Sequence, residues 1–394
     1  MIVELEDLGL DEGGHLPIKR ALATSPVVEV RGRAASLVVD LPAWCRAQGH
    51  AIERTELGYA ITRSATHAAR WRGGERAGGS DPAQVVESPP AHWGLAARGA
   101  FVEAGAPSFD LTLATKSEVW ADEAARLYAQ AAAAQWDPAT AIPWTAATEH
   151  PDEIEDALVQ VMTYLIENET AALLVPTRFL GRLHPHFREV MQLLAIQAAD
   201  EARHIEVFTR RARLRRSELG LSSASGQASL ATLFDEPDFA IASFLLAVLG
   251  EGSFLSLLWF LRDHAPDPCT RELTRLAAQD EARHVAFGLA HLGRHVAEDE
   301  TLRDRLAAAI ERRHGALAST TGLNEEVFDA LILLAAYSSA PTAYWQPQAL
   351  RAGHAAVIAL VRDMDQGRQQ RLLRLGFTPE RATALSSLHT RNFM

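Results

Sequence analysis

Asp200-Glu201-Ala202-Arg203-His204 returns later in the chain as Asp280-Glu281-Ala282-Arg283-His284. Each copy follows a glutamate on an apolar stretch. Thirty residues separate Glu169 from the first copy, and twenty-eight separate Glu251 from the second. Glu and His at i and i+3 lie on one face of a helix, one turn apart. In the first copy that face reads Leu193, Leu194, Gln197, Glu201, His204, Ile205, Phe208; in the second, Leu273, Leu276, Ala277, Glu281, His284, Val285. Glu169 shares its face with Leu158, Met162, Leu165, Ala172 and Leu173, whereas Glu167 falls among Gln160, Thr163, Tyr164 and Thr170. Glu251 sits among Phe244, Ala247, Val248, Phe254, Leu255 and Leu258. These are core faces. A carboxylate buried there without a partner is costly, so cations must compensate.

Two arginines offer themselves, Arg203 and Arg283. They stand two residues past each Glu, on another face, and serve better in salt bridges between helices. Four Glu and two His instead form a set of ligands for two metal ions: one Glu from each of two helices, and Glu-x-x-His from each of the other two. Carboxylates are hard ligands and imidazole suits iron, with manganese accepted by the same donors. The metal ligands expected are therefore Glu169, Glu201, His204, Glu251, Glu281 and His284. Asp200 and Asp280 are expected just outside them, Asp200 accepting from the ring of His284 and Asp280 from that of His204. Such bonds fix the tautomer and leave the second ring nitrogen for metal. Gln197 is placed to face the metals. His291 and His295 read as structural histidines.

The doubled pattern resembles the ferritin-like di-iron carboxylate superfamily over roughly residues 116–300. That group includes bacterioferritins, ribonucleotide reductase small subunits, multicomponent monooxygenases, acyl-carrier-protein desaturases and arylamine N-oxygenases. The resemblance implies a four-helix bundle, two iron ions bridged by Glu201 and Glu281, more terminal roles for Glu169 and Glu251, and oxygen activation. Within the group this chain departs at telling positions. Ala277 stands where the N-oxygenases carry an extra His. Phe208 replaces the radical Tyr of the reductases, and the tail from Ser387 to Met394 offers none. Leu255 stands where monooxygenases often have Thr. Two cysteines cannot supply the four-Cys iron site of rubrerythrin.

Composition narrows the rest. Thirty-eight basic against fifty acidic residues give a formal charge of −12 in 394 residues, which argues against nucleic acid as a partner. Lys19 and Lys116 are the only lysines, so a single arginine is weak functional evidence here. Cys45 and Cys269 are far apart and in no C-x-x-C, which fits a reducing cytoplasm. No secretory leader is read at the N-terminus. The most apolar stretch, Phe239 to Leu261, contains Glu251, and no membrane association is expected.

Along the chain, residues 1–64 read as a small α/β module, 65–115 as a Gly- and Pro-rich linker, and 116–394 as the bundle with C-terminal helices. Val27–Arg31, Ser36–Val39 and Gly58–Arg63 are predicted strands, and Leu41–Gly49 a short helix. Ser117 is a predicted N-cap for a helix to about Gln135. Long helices are predicted from Asp152, with a kink at Pro176, from His184-Pro185, from Glu236-Pro237 and from Pro268. A loop is predicted over 218–236. Further helices are predicted near 300–317, 324–337 and 343–364, then short helices and a tail.

The segment Asp40-Leu41-Pro42-Ala43-Trp44-Cys45-Arg46-Ala47-Gln48-Gly49-His50 is similar to the second helix of TusA-type sulfur carriers, and Pro17–Leu22 to their first. His15-Leu16-Pro17 replaces the reactive Cys-Pro-x-Pro. Without that thiolate there is no nucleophile for persulfide transfer, and the module reads as a docking or structural element. The expectation as a whole is a di-iron oxidase or oxygenase acting with O2 on a small organic substrate and drawing electrons from a reductase, with a homodimer as its oligomeric form. An iron-storage ferroxidase and a metal-free helical adaptor are the alternatives.

Overall fold

The computed structural model describes residues 1–65, 71–318 and 324–391. Residues 66–70 of the predicted linker and 392–394 of the tail lie outside the described residues. The chain divides into two compact units. One is Met1–Ala77 with Gly99–Ser108; the other is Gly78–Arg98 with the chain from Phe109 onward.

In the first unit, strands β1 (Ile2–Glu4), β2 (Val27–Arg31), β3 (Ala51–Arg54) and β4 (Tyr59–Thr62) form a sheet of order β1-β2-β4-β3. The β1–β2 pair is parallel; the other two pairs are antiparallel. Helices α1 (His15–Thr24) and α2 (Leu37–Gln48) contribute Ile18, Leu22, Leu41 and Cys45 to its core, with Val28, Val30 and Ile61 from the sheet. The strand predicted at Ser36–Val39 is instead the start of α2. Leu37, Leu41 and Cys45 are buried at a spacing of four, while Val38 and Val39 face solvent. The β-branched pair suggested a strand, but the burial period is helical. Gly49 ends α2 in the left-handed region at φ 73°, where a side chain would be strained. A two-residue ladder, β5 (Glu75–Arg76) with β6 (Phe101–Val102), also belongs to this unit.

The second unit is helical. A single turn at Lys116–Val119 breaks before α3 (Ala124–Ala133), so the helix predicted from Ser117 starts later. The bundle helices are α4 (Asp152–Leu180), α5 (Arg188–Ala212), α7 (Phe239–Asp263) and α8 (Pro268–Glu298). Short connections make α4–α5 and α7–α8 two hairpins. Helix α4 runs on through Pro176. Helix α8 opens with Asp267 capping the Thr270 N–H and Pro268 in its first turn. The loop predicted at 218–236 contains α6 (Ala224–Phe234). Ser223 caps the Gly226 N–H and Leu233 is buried, so capping and packing outweigh a poor helix-forming sequence.

Helix α7 is long and apolar enough to cross a membrane, but 78% of its most apolar window is buried inside the protein. It is α-helical at both ends and π-helical over Phe244–Glu251. A second layer follows: α9 (Leu302–Leu317), α10 (Glu325–Ser339), α11 (Pro347–Arg374) and α12 (Pro379–Arg391). The last two are longer than the sequence pattern predicts.

Candidate metal centre

Each ionisable residue of the repeat lies inside the bundle. Glu201, His204 and Glu281 are fully buried, and Glu169, Glu251 and His284 nearly so. Glu167 is only partly buried, as its polar neighbours predict. The six side chains fall into two overlapping quartets: Glu169, Glu201, His204, Glu281, and Glu201, Glu251, Glu281, His284. Within each quartet the facing ligand atoms lie within 4.8 Å of one another. Glu201 and Glu281 belong to both.

The protein leaves these atoms unsatisfied. Oε1 of Glu169, both carboxylate oxygens of Glu201 and of Glu281, Oε2 of Glu251, and Nδ1 of His204 and His284 have no hydrogen-bond partner. The imidazoles come close to the carboxylates, with His284 Nδ1 at 3.0 Å from Glu201 Oε1 and His204 Nδ1 at 3.3 Å from Glu201 Oε2, but not in hydrogen-bonding geometry. Buried polar atoms are nearly always paired, so eight unsatisfied ligand atoms around one centre are a donor set that cations could pair. The oxygen and nitrogen donors match iron or manganese. The cluster can hold two metal ions.

Electrostatics agree. In the metal-free protein Glu169 is held well above the usual carboxylate range, first by burial and then by the charges of Glu201 and Glu281. Burial, then the charge of Glu281, does the same to Glu251. Burial pushes Glu201 up as well, but its contact with Glu169 and the two imidazoles pull it below the ordinary range. Burial disfavours charged imidazole, yet the surrounding carboxylates raise both His204 and His284 well above their usual value. Metal-free, the cluster thus keeps protons that metal binding would release.

Around this centre lies a second layer whose two aspartates are fully engaged. Nε2 of His204 is 3.2 Å from Asp280 Oδ2, and Nε2 of His284 is 3.3 Å from Asp200 Oδ2, the crossed pairing expected from sequence. Asp280 also accepts from Trp136 Nε1 at 2.8 Å, from Arg203 at 3.0 Å and from Arg283. Asp200 accepts from Gln135 Nε2 at 2.8 Å and from Arg203. Both aspartates are lowered against the effect of burial, with bonds to the imidazoles leading the causes. The arginines therefore serve the aspartates, leaving the glutamates to the metals. Sequence reasoning missed Gln135 and Trp136, which follow α3. Trp136 also stacks on His204 at 6.4 Å between ring centroids. An indole just past an Ala-rich helix was the available signal, but no spacing rule links it to the repeat. Gln197 donates to Glu251 Oε1 at 3.2 Å, touching the centre through that ligand. His291 packs between Phe239 and Phe287 and is outside both quartets.

A small, partly open pocket adjoins the cluster. Glu169, Glu251 and Glu281 form part of its wall, with Leu230, Leu233, Leu245, Leu246 and Phe254 making much of the rest.

No family model and no curated protein matches the chain. Solved structures of an R2-like ligand-binding oxidase are similar to it. A mutant form with aerobically reconstituted Mn/Fe cofactor is 17% identical, with 62% of this chain and 92% of that one covered at a TM-score of 0.46. A second form, with aerobically reconstituted metal cofactor after photoconversion, has the same identity and coverage at 0.45. At TM-scores below 0.5 these likenesses carry no weight for what this chain does.

Proposed function

We propose that the protein is a non-haem di-metal oxidase or oxygenase that uses two iron ions, or manganese in their place, to activate O2 and oxidise a small organic substrate. The observation that carries this reading is the set of eight unsatisfied ligand atoms at one buried centre, beside an apolar cavity. Glu201 and Glu281 would hold both ions, Glu169 and His204 completing one site and Glu251 and His284 the other. Such a pair, when bound and reduced, supplies electrons to dioxygen.

The chain's own residues do the rest. Asp280 and Asp200 keep Nδ1 of His204 and His284 aimed inward. Gln197 orients Glu251. The leucines and Phe254 exclude water and hold an apolar substrate body against the cluster. Adding one oxygen atom to substrate consumes two outside electrons, so a reductase partner belongs to the proposal.

Residues 1–64 are proposed as a TusA-like docking or structural module. The two helices α1 and α2 packed on one small sheet support that reading. Cys45 is no nucleophile: it is buried, and burial pushes its thiol up to about 11. Two free buried cysteines fit the proposed reducing cytoplasm.

Metal analysis after expression in iron-rich medium is the test. Two irons per chain, with a ferrous form that consumes O2 and builds no mineral core, are expected. Many irons per chain in a hollow assembly would make it a storage ferroxidase. A chain that takes up no metal would be a helical adaptor, and the proposal would fail.

A further inference from the structure

Helix α7 changes its winding where it delivers Glu251. Its backbone is π-helical over Phe244–Glu251 and α-helical from Gly252. At the join the Gly252 N–H bonds the Ala247 carbonyl, five residues back, and passes over the Val248 carbonyl that an α-helix would give it. A carbonyl skipped in this way inside a protein needs another donor. Arg371 of α11 supplies one, its Nε donating to the Val248 carbonyl at 2.6 Å. The next carbonyl, that of Leu249, accepts from Ser253 Oγ at 2.7 Å, and Ser253 Oγ accepts in turn from Arg368 Nη1 at 3.1 Å. Arg368 and Arg371 stand one turn apart on α11 and thus both bear on this join.

The surroundings leave room for Arg371. A Cβ on Gly252 would fall 2.4 Å from its Nε, and one on Gly367 would fall 3.0 Å from its Nη1. Gly252 has ordinary helical backbone angles, so space rather than conformation calls for glycine there. On α8 a Cβ at Gly288 would fall 2.8 Å from the Ala247 Cβ, so that helix packs directly against the π-helical stretch. Burial, then the charges of Arg368 and Arg374, lower Arg371 to about 10, which leaves it cationic near neutrality. A bond from a charged donor to a buried carbonyl is among the stronger hydrogen bonds.

We propose that Arg371 is a positioning residue for Glu251: by holding the Val248 carbonyl it keeps the π-helical stretch from rewinding, and so fixes the direction in which Glu251 points. Each residue turns a helix by about 100°. Were the stretch to rewind as α, Glu251 would turn by about that much relative to the helix before it and leave Glu201, Glu281 and His284. The contact stands in the chain without metal; only its consequence for metal rests on the di-metal reading.

The experiment compares Arg371→Met, which keeps an unbranched side chain but no donor, with Arg371→Lys, which keeps a donor. In the metal-free full chain, amide hydrogen exchange over Phe244–Ser253 should run about tenfold or more faster in Arg371→Met, with α4 and α5 unchanged, and Arg371→Lys should restore most of the protection. With manganese(II) added, Arg371→Met should hold the ion of Glu169 and His204 as before and the ion of Glu251 and His284 about 10–100-fold more weakly. Electron paramagnetic resonance then reads a lone ion in place of a coupled pair. If Arg371→Met does not fold, Gly252→Ala takes its place: alanine favours a helix, and its methyl drives the Arg371 guanidinium off Val248. Unchanged exchange at the π-helical stretch, equal acceleration in α4 and α5, or a lysine variant no better than the methionine one overturns the inference. So does loss of both ions together or of neither. Failure of the unaltered chain to take up metal sinks the di-metal reading and leaves the exchange result to decide on Arg371.

Discussion

Replacing Glu251 by Gln should leave the metal-free protein as stable as before and yet cost it one of two metal ions. Burial and the charge of Glu281 favour the protonated form of Glu251, and glutamine has the shape and neutrality of that form. The Gln197 N–H that reaches Glu251 Oε1 can donate equally to an amide oxygen. Metal-free stability should therefore change by no more than about 0.5 kcal/mol, the scatter of an innocuous substitution. With metal present the result differs. The quartet of Glu201, Glu251, Glu281 and His284 loses a charged ligand, while that of Glu169, Glu201, His204 and Glu281 stays whole. Loss of even an outer partner weakens metal sites about 10–100-fold, so a lost ligand should cost at least the upper end. At a free metal concentration near 100 times the original dissociation constant, mass action stabilises by about 2.7 kcal/mol. After a 100-fold loss it supplies only about 0.4 kcal/mol, a difference of roughly 2.3 kcal/mol and roughly 3 °C in Tm. Elemental analysis and melting curves with and without chelator give both numbers. A variant that keeps two ions, or one that melts far below the unaltered chain under chelator, would refute the reasoning.

Asp280→Asn should weaken metal at the His204 site about 10–100-fold without changing the fold, since the ring loses its carboxylate anchor; competition with a chromogenic chelator measures this. Asp267 pairs with Arg211 at 2.7 Å and is brought to about 2, with burial opposing and His150 and Arg211 lowering. Its folded value is depressed, so its stabilisation of about 2.5 kcal/mol is present above pH 4 or so and is lost as pH falls toward 2. Asp267→Asn should flatten acid unfolding over that window, and an unchanged acid limb would contradict it. Cys45 and Cys269 are buried with thiols pushed by burial up to about 11 and about 12, so iodoacetamide at pH 8 should label neither until denaturant is added, as mass spectrometry will show.

How far the sequence can be read follows from which signals are local. Helix α8 was legible from Pro268 to its end because cap, proline and apolar face lie within one segment. The clustering of the six side chains was legible because a carboxylate on an apolar face contradicts its surroundings, and the contradiction occurs at four places with matched spacing. Helix α6 was not, because its stability comes from Leu233 meeting residues distant in sequence. The π-helical turn of α7 was invisible for a similar reason: Phe244–Glu251 is uniformly apolar up to Glu251, and no periodicity distinguishes α from π there. Gln135 and Trp136 could be assigned to the centre only once the approach of α3 to α5 and α8 was known.

The repeated pentapeptide then acquires a physical reason at every position. Glu201 and Glu281 face inward, and His204 and His284 join them one turn on. Asp200 and Asp280, one residue earlier, are turned just enough to meet the imidazole of the opposite hairpin. Each aspartate brings a further negative charge into a region already rich in carboxylates, and Arg203 and Arg283, three residues on, lie on the same face as the aspartates and balance it. Ala202 and Ala282 are the residues left facing solvent, and they carry no charge. Because each arginine is committed to an aspartate, neither is available to neutralise the glutamates. The outer layer is balanced by protein and the inner layer is not, and that difference is what reserves the inner layer for metal.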